Sequence, residues 1–511
     1  MSSTELVTEG VAPVPRAVDR ALARRAARVL LVATAFGLLV QFLFIEALLG
    51  VNFPITIAAL LLAGWAASDR TSAVPDRADL WIVPTAVVLA AFVAVRGDSS
   101  LVALDVLGSL GLTGLALASF GGLAIVRRPF ERILQLGGRI AGWAMIGAAN
   151  AISSARWLAP EQGRNAVSRG APLLRGILLA IPLVLIFAFL FSQADAVFAE
   201  YAGNLFDWEL DIDELVTRGL TAGIAAWAAA GLLGLIALRD RSTDPPLTSV
   251  PARIRVGTTE CLIVLLALNG LFAAFVVIQA AYLFGGLDTL EATGMSYAEY
   301  ARRGFFELLA VAFLVAGLIL MLEALIKQRS RAYVVSAIVL VVLTMVILAS
   351  SLLRLRLYQE AYGWTELRFY VLAAIGWLAI GAVGGVAALA TNRTKWLLHG
   401  MVVLSVVFGI GFNLIGPVRF IAEQNVARAI DPSLVPPGGE TGLDVYYLSS
   451  LGTDADIVMA ESLADLPQPE RAEVADALEH TARDLRSNPY LDAWQGWNLS
   501  RTTIAEQLGV E

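Results

Sequence analysis

The side chains best placed to do chemistry in this sequence are charged residues at the edges of long apolar runs. In the stretch Ser296-Tyr-Ala-Glu299-Tyr-Ala-Arg302-Arg303-Gly-Phe-Phe-Glu307-Leu, Ser296 and Glu299 have capping-box spacing, which predicts a helix starting outside the apolar region. Glu299 with Arg303, and Arg303 with Glu307, are then i,i+4 pairs of opposite charge on one face. Glu307 falls about one turn inside the apolar boundary, where a carboxylate needs a partner or a watered cavity. Two roles fit: a clamp neutralised by Arg303 with Tyr297 and Tyr300 at the interface, or one wall of a binding site.

A second stretch, Arg354-Leu-Arg356-Leu-Tyr358-Gln-Glu360-Ala-Tyr362-Gly363-Trp364-Thr365-Glu366-Leu-Arg368, separates two further apolar runs. Gly363 can close one helix and Thr365 can cap the next. Arg354, Arg356 and Arg368 are unusual in a loop assigned to the outer face, so they have work there: pairing with carboxylates, or holding an anionic headgroup or substrate. Arg303, Glu307, Arg354, Glu366 and Arg368 together form the candidate ligand site, for an anionic lipid or small solute. If the chain were an enzyme acting on lipid-linked substrates, Glu307 or Glu366 would be its general base; no catalytic residue is assigned.

The other candidates carry less. His399 and His480 are the only histidines and fall on opposite sides of the expected membrane, which argues against a shared metal site or a histidine-based catalytic centre. Glu260 and Glu323 lie near inner helix ends and can reach the interface. Glu46 and Asp105 lie outward of mid-span, where a proton or cation path could use them. Cys261 stands alone and reads as a small buried hydrophobe. No nucleotide loop, dinucleotide fingerprint or zincin motif appears in a usable context, and no metal or cofactor is expected.

The elements that position these residues follow from composition. Of 511 residues, 58% are apolar and 16% charged, well short of the roughly 25% charge of soluble domains. Candidate spans run over 28–49, 51–68, 79–96, 101–126, 172–193, 217–238, 258–284, 304–326, 332–353, 367–390 and 397–416, about eleven in all, each long enough to cross about 30 Å as a helix. Helix is required because backbone amides in lipid must pair within the segment, and no strand-like alternation is present. The expected class is all-α, a polytopic transmembrane helix bundle with a small C-terminal helical domain.

Arginine sets the orientation. Arg16, Arg20, Arg24, Arg25 and Arg28, the stretch with Arg127, Arg128, Arg132, Arg139, Arg156 and Arg164, the loop with Arg239, Arg241, Arg253 and Arg255, and Lys327, Arg329, Arg331, Arg393 and Lys395 alternate with short or acidic loops. Positive loops stay inside, so the N-terminus is expected inside and the C-terminus outside. Residues 1–27 are a cytoplasmic tail, 28–126 hold helices one to four, 127–171 are a cytoplasmic amphipathic segment, 172–416 hold helices five to eleven, and 417–511 are an acidic extracytoplasmic helical domain. Within the amphipathic segment, the run around Ile140 to Ile152 is read as a helix on the inner leaflet, with Trp143 and Trp157 near the headgroups. A crossing there would invert everything downstream.

Further motifs carry a resemblance. Tyr300-Ala-Arg302-Arg303-Gly-Phe-Phe-Glu307-Leu, Leu357-Tyr358 through Arg368, Asp444 to Leu448, Asp454-Ala455 and Trp494-Gln-Gly-Trp497-Asn498-Leu-Ser500-Arg501 together resemble bacterial multi-pass proteins of domain of unknown function 4173, related to the 4153 group. The resemblance implies a bacterial cytoplasmic-membrane protein and supplies no activity. The sequence therefore points to a non-enzymatic binding, sensing or assembly protein of the envelope. Its partners are the bilayer and a protein bound through 417–511. A transporter or lipid handler with an outward-facing charged site, and a membrane-embedded enzyme, are the alternatives, and the acidic tail disfavours nucleic acid.

Overall fold

The computed structural model describes residues 17–68, 76–123, 125–126, scattered positions from 136 to 155, and 212–238, 257–284, 305–437 and 439–510. Among these residues there is no strand, and eight helices are long and apolar enough to cross a membrane. Each expected span that falls on described residues overlaps a helix, but those at 51–68 and 79–96 are not among the eight, and the expected span 172–193 lies outside the described residues, so eleven crossings are not established.

The helices are α1 (Ala17–Phe44), α2 (Asn52–Ala67), α3 (Ile82–Phe92), α4 (Ser99–Phe120), α5 (Ile212–Ala237), α6 (Thr258–Phe284), α7 (Phe305–Leu325), α8 (Arg331–Tyr362), α9 (Glu366–Ala390) and α10 (Leu397–Ile415). Most are apolar around their whole circumference, the pattern of helices bathed in hydrocarbon rather than of surface helices with one greasy stripe. α2 and α3, at 16 and 11 residues, are too short for a full crossing. The end of α3 is set by tertiary contacts: its following turn gives up its carbonyls to the C-terminal region, as described below.

Two sub-bundles form. Ala33, Ile57, Ile82, Ala86, Leu117 and Ala229 lie in one core built from α1 to α5. Cys261, Leu265, Ile319, Tyr333, Leu340 and Leu389 lie in a second built from α6 to α9. Cys261 is wholly buried and not in a disulfide. At one end of the second sub-bundle Glu323 is taken up by Arg329 at 3.3 Å and by the Thr394 hydroxyl at 2.8 Å, while Arg329 also donates to Leu389 O and Asn392. Glu260 accepts from the Gly257 amide at 2.6 Å. Both carboxylates thus serve helix ends.

The described positions between 136 and 155 are helical. Leu136 and Ala148 are buried in the first core, Ala151 packs with Val29 and Leu233, and Ile140 lies beside Gly114. This part of the segment therefore runs against the flank of the bundle. Arg139, Trp143, Arg156 and Trp157 lie outside the described residues.

After α10, Gly416 at φ +68° turns the chain into α11 (Pro417–Ile430), whose Pro417 occupies the first helical position. α12 (Val445–Ser450), α13 (Thr453–Ser462), α14 (Glu470–Ser487) and α15 (Leu499–Gln507) follow. They share a core of Ile421, Ala422, Leu448, Ala455, Met459, Leu466, Val474 and Ile504. Phe369 from α9 belongs to the same core and Phe412 from α10 packs against it, so the core of this cap runs on into the bundle.

Candidate functional site at the capped end of the bundle

Three loops meet the cap, and each is held mainly through its backbone. In the first, Gly363 at φ +75° closes α8 and the Thr365 hydroxyl caps α9 by accepting from the Arg368 amide at 3.3 Å, as the sequence suggests. Asn425 then grips the turn reciprocally: its Oδ1 accepts from the Trp364 amide and its Nδ2 donates to Trp364 O, both at 2.8 Å. Arg428, only 9% exposed, donates to Glu360 O at 2.7 Å, Ala361 O at 3.2 Å and Glu440 O at 3.1 Å. Burial, and secondarily the Arg368 guanidinium, pull its pKa down from the ordinary arginine range. The Tyr447 hydroxyl accepts from the Glu366 amide at 2.7 Å.

The second loop follows α3. Asn498 Nδ2 donates to Val93 O at 3.1 Å and Arg96 O at 3.0 Å, and the Leu499 amide donates to Ala94 O at 2.9 Å. The same Asn498 caps α15, its Oδ1 accepting from the Arg501 amide at 3.0 Å. The third loop precedes α2: the Val51 amide donates to Trp497 O at 3.0 Å, and Arg501 reaches Leu49 O at 3.2 Å and Gly496 O at 2.8 Å. Gly50 has to be glycine here, because a Cβ would fall 2.6 Å from the Gly496 carbonyl carbon and closer still to the Trp497 oxygen.

Beneath the cap lies a buried polar group that bridges the first sub-bundle and α10. Arg96 donates to Asn413 O, and Asn413 Nδ2 donates to Asp105 Oδ1 at 2.8 Å and Gly409 O at 3.0 Å. Asp105 is 2% exposed and Asn413 fully buried. Asp105 Oδ2 and Asn413 Oδ1 have no hydrogen-bond partner. Asp105 also lines a cavity of about 610 Å³ between α4 and α10, otherwise walled by Leu101, Leu104, Leu112, Val402, Val406, Phe412 and neighbours. Asp98 caps α4 by accepting from the Ser100 and Leu101 amides at 2.9 and 3.0 Å. Burial pushes its carboxyl up to about 6 against those amides, and Glu366 and Asp454 add to the rise.

The residues expected to form the ligand site divide differently. Arg368 is spent on Tyr362 O at 2.9 Å and Gly363 O at 2.6 Å, with its guanidinium 4.2 Å above the Tyr358 ring. Glu366 lies in the first turn of α9, and Arg354 is half-buried near the end of α8. Glu307 falls in α7, but its side chain and the whole of Arg303 lie outside the described residues. Glu46 is 3.5 Å from Arg218. His399 packs against Trp396, and His480 lies 3.8 Å from Asp476 on the surface. Among the described residues no group of three metal-ligating side chains converges.

Sequence reasoning did not single out Arg96, Asn413, Asn425 or the docking role of Asn498. Asn413 carried a signal: an amide inside an apolar run needs a partner in the membrane. The motif residues Trp364, Glu366, Tyr447, Trp497, Asn498 and Arg501, which carried the family resemblance, prove to be the docking surface between cap and bundle.

The family described as "Domain of unknown function (DUF4153)" matches residues 83–462, about three quarters of the chain. This is the relative of the 4173 group rather than that group itself. No curated protein and no solved structure matches.

Proposed function

Because the chain belongs to the family described as Domain of unknown function (DUF4153), its role has to be read from its own residues, and we propose that it is a non-enzymatic binding or sensing protein of the bacterial cytoplasmic membrane. In this reading the cap faces outward, binds a protein partner and passes the event to the membrane helices. The likeness to the 4173 group is taken as a sister relationship.

The observation that carries the reading is the manner of docking. A tethered receptor domain would touch its membrane anchor through a linker, whereas here Asn425, Arg428, Tyr447, Asn498 and Arg501 seize the backbone at the start of α2 and the ends of α3, α8 and α9 by hydrogen bonds. Such contacts between well-packed elements shift as units rather than deform gradually, which makes the cap and the helix ends one mechanical body. Arg20, Arg24, Arg25 and Arg28 open α1 at the end opposite Phe42, whose ring faces Trp494 of the cap at 6.5 Å. Positive charge remote from the cap supports an outward cap.

Tyr446, 89% exposed on α12, provides the test. With Cys261 buried, Tyr446→Cys in the full chain gives a specific label for membrane-impermeant maleimide in intact cells. The reading expects labelling without lysis; labelling only after lysis overturns the outward cap. Partner binding is checked by co-purification with an Asn425→Ala, Asn498→Ala double variant. Retention of the same partners and of knockout complementation would overturn the coupling.

A further inference from the structure

We propose that the slot between α4 and α10 is a binding site for a membrane lipid with a primary-ammonium head, its chain along the apolar walls and its head on Asp105. The proposal is independent of the partner-binding reading.

The walls set the tail. From Asp105 to Leu115 the slot follows α4 for roughly 15 Å at 1.5 Å per residue, room for most of an extended acyl chain. Every lining residue except Asp105 and Ser405 is apolar or glycine. Gly108 and Gly111 of α4 and Gly409 of α10 keep side chains out of the space, and a Cβ at Gly111 or Gly409 would meet nothing within 4 Å.

The head is set by Asp105, which lines the slot and whose Oδ2 has no hydrogen-bond partner, while its Oδ1 accepts from Asn413 Nδ2 at 2.8 Å. The Asn413 amide cannot be turned to help, because its nitrogen already serves Asp105 and Gly409 O. Arg96 is engaged on the Asn413 carbonyl and makes no hydrogen bond to Asp105 Oδ2. What is lacking is a donor to Asp105 Oδ2, and a positive one answers the buried carboxylate as well. A primary ammonium supplies both. A quaternary ammonium carries charge but no N–H, and a glycerol head carries O–H without positive charge. Asp105 lies six residues, about 9 Å, inside the start of α4, so the head is drawn below the ordinary headgroup level.

The full-length protein reconstituted in phosphatidylcholine nanodiscs, doped with spin-labelled phosphatidylethanolamine, phosphatidylcholine or phosphatidylglycerol, tests this by the immobilised fraction. The expected result is one strongly immobilised phosphatidylethanolamine per protein, held about tenfold more tightly than phosphatidylcholine, as expected for a charge-assisted hydrogen bond. Asp105→Asn should erase the preference, and Gly111→Leu, which fills the slot while leaving Asp105 in place, should erase the immobilised site. Monodispersity on gel filtration establishes that each variant is folded; should Asp105→Asn fail there, Gly111→Leu and Gly409→Leu decide. Equal immobilisation of all three lipids means an ordinary lipid contact and overturns the proposal. Preference for phosphatidylglycerol, or an immobilised phosphatidylethanolamine that survives both glycine substitutions, does the same.

Discussion

Asn498→Ala is the sharpest perturbation of the docked cap. The residue is 4% exposed and serves two structures at once: Nδ2 ties down Val93 O and Arg96 O, and Oδ1 caps α15 at the Arg501 amide. Alanine strands two carbonyls and one amide in a buried interface. At about 1 kcal/mol for each lost bond and about 1 kcal/mol for the cap, local opening becomes easier by about 3 kcal/mol. Asn498→Ser keeps the cap oxygen but loses both donors, so its cost is about 2 kcal/mol. Ala505, 7% exposed on α15, reports the opening when replaced by cysteine, since a buried thiol reacts only when the helix lifts. Thiol-labelling rates in the full protein in nanodiscs should rise about a hundredfold for Asn498→Ala, at 1.4 kcal/mol per decade, and several-fold less for Asn498→Ser. A rise below about threefold, or equal effects of the two, refutes the dual role.

Other perturbations probe neighbouring contacts. Arg428→Met removes donors from three carbonyls and should cost about 3 kcal/mol at one lost bond each, read as faster proteolysis around residues 436–442. Gly50→Val forces the loop off the Gly496 and Trp497 backbone and should loosen α15 while leaving α8 and α9 unaffected, a pattern visible by hydrogen exchange. Asp456, 5% exposed with only a 3.4 Å contact from Thr481, has its carboxyl pushed by burial from 3.8 to about 6. The folded cap holds that proton more tightly than the unfolded chain, so the contribution of Asp456 to cap stability is fully present below about pH 4 and is lost as pH rises through about 6. Asp456→Asn should flatten much of that slope in pH-dependent unfolding and raise stability at pH 7 by up to about 3 kcal/mol, Asp98 leaving a residual slope of the same sign.

The bundle was legible because hydrocarbon runs carry their own instruction: in lipid a run of that length forms a helix whatever its neighbours do. Local chemistry was legible too, with Gly363 closing α8 and Thr365 capping α9. Lengths were less so. α8 continues to Tyr362, past the expected 353, where the carbonyls of its last turn, Glu360 O and Ala361 O, are taken up by Arg428 of the cap. α3 stops at Phe92 because Asn498 and Leu499 capture the carbonyls beyond it. Pairings between distant residues were illegible: Asp105 and Asn413 are separated by 308 positions, and no local spacing announces their meeting. Arg354, Arg356 and Arg368 were read as partners for carboxylates or for an anionic headgroup or substrate; Arg368, in the first turn of α9, donates to main-chain carbonyls. A loop that must expose its backbone to a docking domain offers acceptors as attractive to guanidinium as any acid.

Hydrogen exchange of two amides in the unmodified protein tests the fixed cap most directly. The Leu499 amide is bonded to Ala94 O, and the Val51 amide to Trp497 O, so each belongs to one partner and is shielded by the other. A cap fixed to the bundle predicts strong protection of both, with a common exchange rate set by a single undocking event. Rapid exchange at Leu499 and Val51 while the interiors of α13 and α4 stay protected would contradict it, describing a domain that hangs beside the bundle rather than closing it.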